Sequence, residues 1–145
     1  MMSLNIQCSR KIHFCSGHRV LNHETKCANL HGHNYVAWFN AEADSLDSIG
    51  RIIDFSVLKE KIGGWIDKHW DHTTIIFQDD TDLISIKDKL EKNKPVWISP
   101  FNPTAENMAK YLFEVVCPDV LKDTGVFVTE VILYETENCY AKVSC

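Results

Sequence analysis

No apolar run in this chain approaches the ~20 residues that span a bilayer, and the opening stretch MMSLNIQCSRK lacks the hydrophobic segment of a secretory signal. From these two absences a cytoplasmic protein without membrane contact is expected. The sequence also contains no CxxC pair, no internal repeat and no Pro/Gly/Ser-rich linker, so a single domain over residues 1–145 is expected. Its six cysteines (Cys8, Cys15, Cys27, Cys117, Cys139 and Cys145) show no disulfide-framework spacing. They are expected to be reduced thiols, mostly buried as small hydrophobes. Positive charge is not in excess: a formal net charge of −5 argues against nucleic acid or an anionic membrane as partner. An anionic small substrate is still compatible, because a bound metal opposes the global field locally.

What is present is an ordinary globular composition, 45% hydrophobic and 24% charged. A chain of this length buries roughly two thirds of its unfolded surface, enough for a core without covalent staples. Leu4, Ile6, Cys8, Ile12 and Phe14 alternate with polar residues, a period of two that predicts a half-buried strand interrupted only at Arg10. Val36 and Trp38 suggest a second, antiparallel strand, leaving a long connecting loop over 16–32, a length that marks function. From Asp54, a candidate N-cap, Phe55, Leu58, Ile62, Trp65, Ile66 and His69 recur at helical spacing. Gly63 and Gly64 inside that helix each cost about 1 kcal/mol relative to alanine, so packing must hold the turn.

The charged segment 79–94 carries a short helical candidate around Leu83 to Leu90. In NPTAENMAKYLFEVV, Asn102 can cap a second helix, Pro103 suits its first position, and Met108, Tyr111, Leu112, Val115 and Val116 form one stripe, with Pro118 as its stop. Val126, Val128, Val131 and Leu133, then Cys139, Ala141 and Val143, read as two strands around a turn near Glu137-Asn138. The order strand, strand, helix, helix, strand, strand predicts an α+β layer architecture, with two helices on one face of an antiparallel sheet.

The long loop is flanked by His18, His31 and His33. Residues i and i+2 of a strand share a face, so His31 and His33 can converge on one ion, with His18 reaching it from the paired strand. Three imidazoles that leave a fourth position open match catalytic rather than structural zinc. His13 and His23 are poorer candidates: His13 faces away from Phe14's side, and His23 lies mid-loop. Cys27 stands four residues before His31 and admits two readings, a fourth ligand that closes a structural site, or a thiolate base beside an open metal, which Lys26 favours. Asp71-His72 is either a solvated pair at a helix end or the orienter and base of a proton relay that includes Cys27. Glu135 sits among apolar residues of the tail strand. It faces solvent, or else it accepts paired N–H donors from a guanidine-like heterocycle.

The pieces CSGHRVL, CANLHGHNY, IIDFSVLK, WDHTTI, FNPTAENMA and YETEN stand in the order and spacing of the 6-pyruvoyltetrahydropterin synthase and 6-carboxytetrahydropterin synthase superfamily, and the chain resembles that superfamily over nearly its whole length. Its short CxxxHGH spacing resembles the bacterial 6-carboxytetrahydropterin synthases of queuosine biosynthesis. The resemblance implies a tunnelling fold: an antiparallel four-stranded sheet with two helices on one face, assembling into barrels and a homohexamer with active sites at subunit interfaces. It implies zinc on His18, His31 and His33, a relay of Cys27, Asp71 and His72, and a pterin anchor at Glu135. Thr104 and Glu106 match the pterin-pocket segment, and Arg19 and Lys26 are candidates for triphosphate contacts.

The implied reaction converts 7,8-dihydroneopterin triphosphate to 6-carboxytetrahydropterin, losing triphosphate and acetaldehyde. The alternatives are a pyruvoyl-producing synthase of biopterin metabolism, a different tunnelling-fold enzyme such as an aldolase or a guanosine triphosphate cyclohydrolase, and a non-catalytic Cys-His₃ zinc module. IIFQDD, where relatives often carry an LN motif, and the tail beyond Tyr140 depart from the family pattern.

Overall fold

Six strands form one mixed sheet in the order β4-β3-β1-β2-β5-β6. They are β1 Cys8–His18, β2 His31–Ala43, β3 Thr73–Phe77, β4 Trp97–Ser99, β5 Val126–Thr136 and β6 Cys139–Ser144. The computed structural model describes residue 2 and residues 4–145. Met1 and Ser3 of the opening stretch lie outside the described residues. β1, β2, β5 and β6 are the expected antiparallel meander, but β3 runs parallel to β1 and β4 parallel to β3. The expected four-stranded antiparallel sheet is therefore corrected to six strands of mixed direction. TTIIF and WIS are too short to show a period, and they become strands only because β1 offers an edge to β3 and β3 offers one to β4.

The first strand begins at Cys8 rather than Leu4, and Leu4 and Ile6 are exposed. The even-numbered face is nevertheless the buried one, carrying Ile12, Phe14, Ser16 and His18. On β2 the buried residues are the odd ones, Tyr35, Ala37, Phe39 and Ala41, so Val36 and Trp38 lie on the opposite face from the core. The expected loop over 16–32 shortens to 19–30, because pairing continues to the last rung, His18 opposite His31. A register shift after Asn40 explains why the apolar pattern of β5 changes parity between Val128 and Val131.

Two long helices cover one face of the sheet. Helix α1 (55–69) starts at Asp54, whose carboxylate accepts the Ser56 N–H at 2.8 Å. Helix α2 (105–120) is capped by Thr104, which accepts the Asn107 N–H at 3.1 Å, so the cap is Thr104 and not Asn102. Each helix contains a wide π turn, Lys59–Gly63 and Leu112–Val116. Both carry a buried row at steps of four: Leu58, Ile62 and Ile66, then Met108, Leu112 and Val116. An α-helix takes 3.6 residues per turn, so such a row would drift around it, and the π turn brings the row back to the sheet. Phe55 and Val115 fall off these rows and are exposed.

The same geometry overturns Pro118 as a stop. Cys117 N–H already bonds five residues back to Leu112, and the helix passes through Pro118 to Val120. In segment 79–94 two helical turns, Thr81–Ser85 and Lys87–Leu90, break at Ile86. Of the cysteines only Cys117 is buried among the described residues, and none is paired. The expectation that most are buried is corrected: Cys8, Cys15 and Cys27 are half-buried, Cys8 against the edge of the core, and Cys139 and Cys145 are exposed. No helix among the described residues is long and apolar enough to cross a membrane.

Candidate metal and proton-relay site

His18 and His31 face each other on the last rung of the β1–β2 ladder, and His33 lies one same-face step further along β2. Gly32 allows this closeness, because a Cβ there would meet the Ser16 carbonyl at 3.3 Å. One ring nitrogen from each histidine can be chosen so that all three lie within 4.8 Å of one another, and the ring centroids are 4.8 to 5.2 Å apart.

Backbone carbonyls aim two of the rings. His18 Nδ1 bonds the Pro103 carbonyl at 2.7 Å, and His31 Nδ1 bonds the Asn29 carbonyl at 2.5 Å. Each bond leaves Nε2 with its lone pair for an ion, the arrangement that orients metal-binding histidines. His33 Nε2 is buried 3.3 Å from Glu135 Oε1 but is misaligned for a hydrogen bond, and has no other partner among the described residues. An orphaned buried nitrogen beside two aimed imidazoles is what a divalent cation would satisfy, so these residues fit zinc.

Burial disfavours the charged forms of His18 and His33. Desolvation drives His18 down to about 4, against the pull of its Pro103 bond and with help from His31 and His33. His33 is lowered too, chiefly by burial and partly offset by Glu135. Tyr35 stands behind the rings with its hydroxyl 3.4 Å from His18. Burial, and then the Glu135 charge, raise its pKa and keep it protonated. Tyr35 is two residues beyond His33, a periodicity by which sequence reasoning could have found it. Glu135 itself is the unpaired residue where the β5–β6 register shifts, and such a bulge re-aims a side chain.

The loop is clasped from outside. Asn102 accepts the Leu21 N–H and donates to the Leu21 carbonyl, both at 3.0 Å, while Val20 N–H bonds the Cys27 carbonyl at 2.9 Å. Arg19 pairs through two nitrogens with buried Asp80, whose carboxyl the guanidinium holds below its usual range, and which also accepts the Leu83 N–H. Its charge is thus engaged inside the fold. Lys26 is exposed on the short turn Lys26–Ala28, Thr104 serves as the α2 cap, and Glu106 is exposed in the first turn of that helix. No local signal marks Asn102 as a clasp.

Asp71 and His72 follow Trp70, which is fully buried against Phe14, Trp65 and Trp97. His72 Nδ1 is 2.9 Å from Asp71 Oδ2, and Asp71 Oδ1 accepts the Cys15 N–H at 2.9 Å. Burial pushes the Asp71 carboxyl up, but these donors and nearby Lys94 outweigh it and leave it below its ordinary range. Lys94 also donates to the Asp67 and Asp71 carbonyls at the end of α1, which gives segment 79–94 a bracing role. Within the chain the pair is clustered with Cys15, and Cys27 joins neither this cluster nor the three histidines.

The model of the 6-pyruvoyl tetrahydropterin synthase family matches residues 7–145. This chain belongs to that family. Among similar family members is a 6-carboxy-5,6,7,8-tetrahydropterin synthase of Rickettsia bellii, 38% identical over 138 residues, covering 95% of this chain and 99% of the relative. A protein of the same name from Aquifex aeolicus is 31% identical, covering 92% of this chain and 94% of its own. Among solved structures, an uncharacterized protein of Wolinella succinogenes superposes with a TM-score of 0.82 at 25% identity, covering 98% of this chain and 99% of its own. The 6-pyruvoyl tetrahydropterin synthase of Caenorhabditis elegans superposes at 0.67 with 23% identity over 97% of this chain and 95% of its own, a likeness of fold.

Proposed function

We propose that this chain is a zinc-dependent 6-carboxy-5,6,7,8-tetrahydropterin synthase, acting on 7,8-dihydroneopterin triphosphate and releasing triphosphate and acetaldehyde, in cytoplasmic queuosine biosynthesis. The observation that carries the reading is the convergence of His18, His31 and His33, with two rings aimed by carbonyls and one buried nitrogen unpartnered. Its near full-length similarity to synthases of that name supports the choice of branch. Zinc held there would supply Lewis acidity to the oxygens of the substrate side chain.

The chain's own groups do the rest. Glu135 accepts N–H donors of the pterin ring and so fixes its orientation beside the histidines. Cys27, on the loop between the two zinc-binding strands, takes the proton from the substrate carbon as thiolate. Asp71 holds His72 by its Nδ1–H, leaving Nε2 to exchange a proton, as an orienter does for a base. Because Asp71 and His72 stand apart from Cys27 within one chain, the relay closes between copies of a homohexamer, with the pair of one copy serving the thiol of the next. Lys26 meets the triphosphate; Arg19 contributes by holding the loop to Asp80. Thr104 and Glu106 border the pterin pocket at the start of α2.

Mass spectrometry of the products formed from 7,8-dihydroneopterin triphosphate tests this. 6-Carboxytetrahydropterin with acetaldehyde is expected. 6-Pyruvoyl-tetrahydropterin would move the chain to the sister branch, and an unreacted substrate with zinc-loaded protein would overturn the catalytic reading.

A further inference from the structure

The thiol of Cys15 has no part in the chemistry above, yet it stands beside the relay pair, which the Cys15 backbone anchors. Cys15 N–H donates to Asp71 Oδ1 at 2.9 Å, and His72 N–H donates back to the Cys15 carbonyl at 2.6 Å. This double clamp accompanies a left-handed backbone conformation at His72, φ 55°, which is uncommon outside glycine and which histidine tolerates better than most residues. It also brings the three functional groups together: a ligand atom from each of Cys15, Asp71 and His72 lies within 4.8 Å of the others. Cys15 is an odd residue of β1 and so projects to the opposite face from His18. The cluster is therefore separate from the three histidines.

We propose that Cys15, Asp71 and His72 form a second cation site, one that takes a thiophilic divalent ion such as zinc or cadmium and, when filled, withdraws Asp71 and His72 from proton transfer. The site itself stands on geometry; the inhibitory consequence rests on the function proposed above. Thiolate, imidazole and carboxylate together are a zinc donor set, with ligand bonds of about 2.0–2.3 Å. The three atoms need only draw in around an ion, and the His72 ring, 74% exposed, is free to turn. The carboxylate is already braced by the Cys15 N–H, the kind of outer bond that steadies a ligand. Asn34 Oδ1, which accepts the Cys15 S–H at 2.8 Å, adds a nearby oxygen. A cavity of about 390 Å³ lined by Cys15, Asn34, His72 and Thr73, and bordered also by His33, supplies the entry path. Binding releases the thiol proton to solvent and breaks the His72–Asp71 hydrogen bond that orients the base.

The test is a cadmium titration of the zinc-loaded protein, following sulfur-to-cadmium charge-transfer absorption, bound metal per chain by equilibrium dialysis, and turnover. Wild type is expected to take up one further cation per chain, gaining the absorption and losing at least tenfold in activity as it does so. Cys27→Ser should still gain the cation and the absorption. Cys15→Ser, with Cys15→Ala as a second variant, should keep its first ion and its turnover, gain no absorption and resist at least tenfold more cadmium. Absorption that survives in Cys15→Ser, or no uptake beyond the first ion, overturns the site. A Cys15-dependent cation in a protein without synthase activity would keep the site and sink the catalytic reading instead, so the two failures are distinguishable.

Discussion

His18 is 1% exposed at the end of a continuous strand pair, its ring fixed by the Pro103 carbonyl just ahead of α2. His72 is 74% exposed in a left-handed conformation, its ring fixed by one carboxylate. The first histidine belongs to a set that is complete within one chain, and the second to a pair whose proposed thiol partner lies elsewhere. Burial suits metal ligands, because desolvation keeps imidazole neutral and its lone pair available. Exposure suits a group that must meet another copy and exchange protons. The difference teaches that the three histidines converge on folding alone, whereas the relay proposed above would wait for assembly.

Removing a metal ligand should break the comparison most severely. His31→Ala or His18→Ala is expected to lose zinc and to reduce turnover by about a thousandfold or more, measured as metal content and product formation. Cys27→Ala and His72→Ala should each lose turnover by roughly 10²–10⁴-fold while keeping zinc. Co-assembled from a mixture of the two variants, the protein should regain activity, because some interfaces then pair an intact thiol with an intact Asp71–His72; a mixture as inactive as its parents would place the relay within one chain.

Acidification sharpens the same contrast through stability. His18 is held near 4 when folded, against an ordinary 6.5, so between these values the unfolded chain binds more protons. The stability of the metal-free fold is then full above pH 6.5 and falls by about 3 kcal/mol toward pH 4. Urea titrations across that range should show the slope, and His18→Gln should flatten it. Asn102→Ala removes both bonds to Leu21 and is expected to cost about 1–3 kcal/mol and weaken zinc retention. The smallest effect is expected from Thr104→Ala, about 1 kcal/mol from the lost helix cap, seen in thermal unfolding.

The sequence by itself determined the meander of β1, β2, β5 and β6, the two long helices, and the candidate zinc histidines, because each is written in a local period or a local spacing. His31 and His33 share a face by strand geometry alone, and Asp54 caps α1 through the residues next to it. Tertiary structure alone decided the rest. β3 and β4 are strands because an edge was available to them, and Pro118 stays helical because a π turn precedes it. Arg19 is committed to Asp80, Asn102 clasps Leu21, and Asp71 and His72 are clamped by Cys15, across separations of 61, 81 and 56 residues. Periodicity reports which face a residue occupies, but not which distant backbone group will meet it. That meeting is set by how the layers pack.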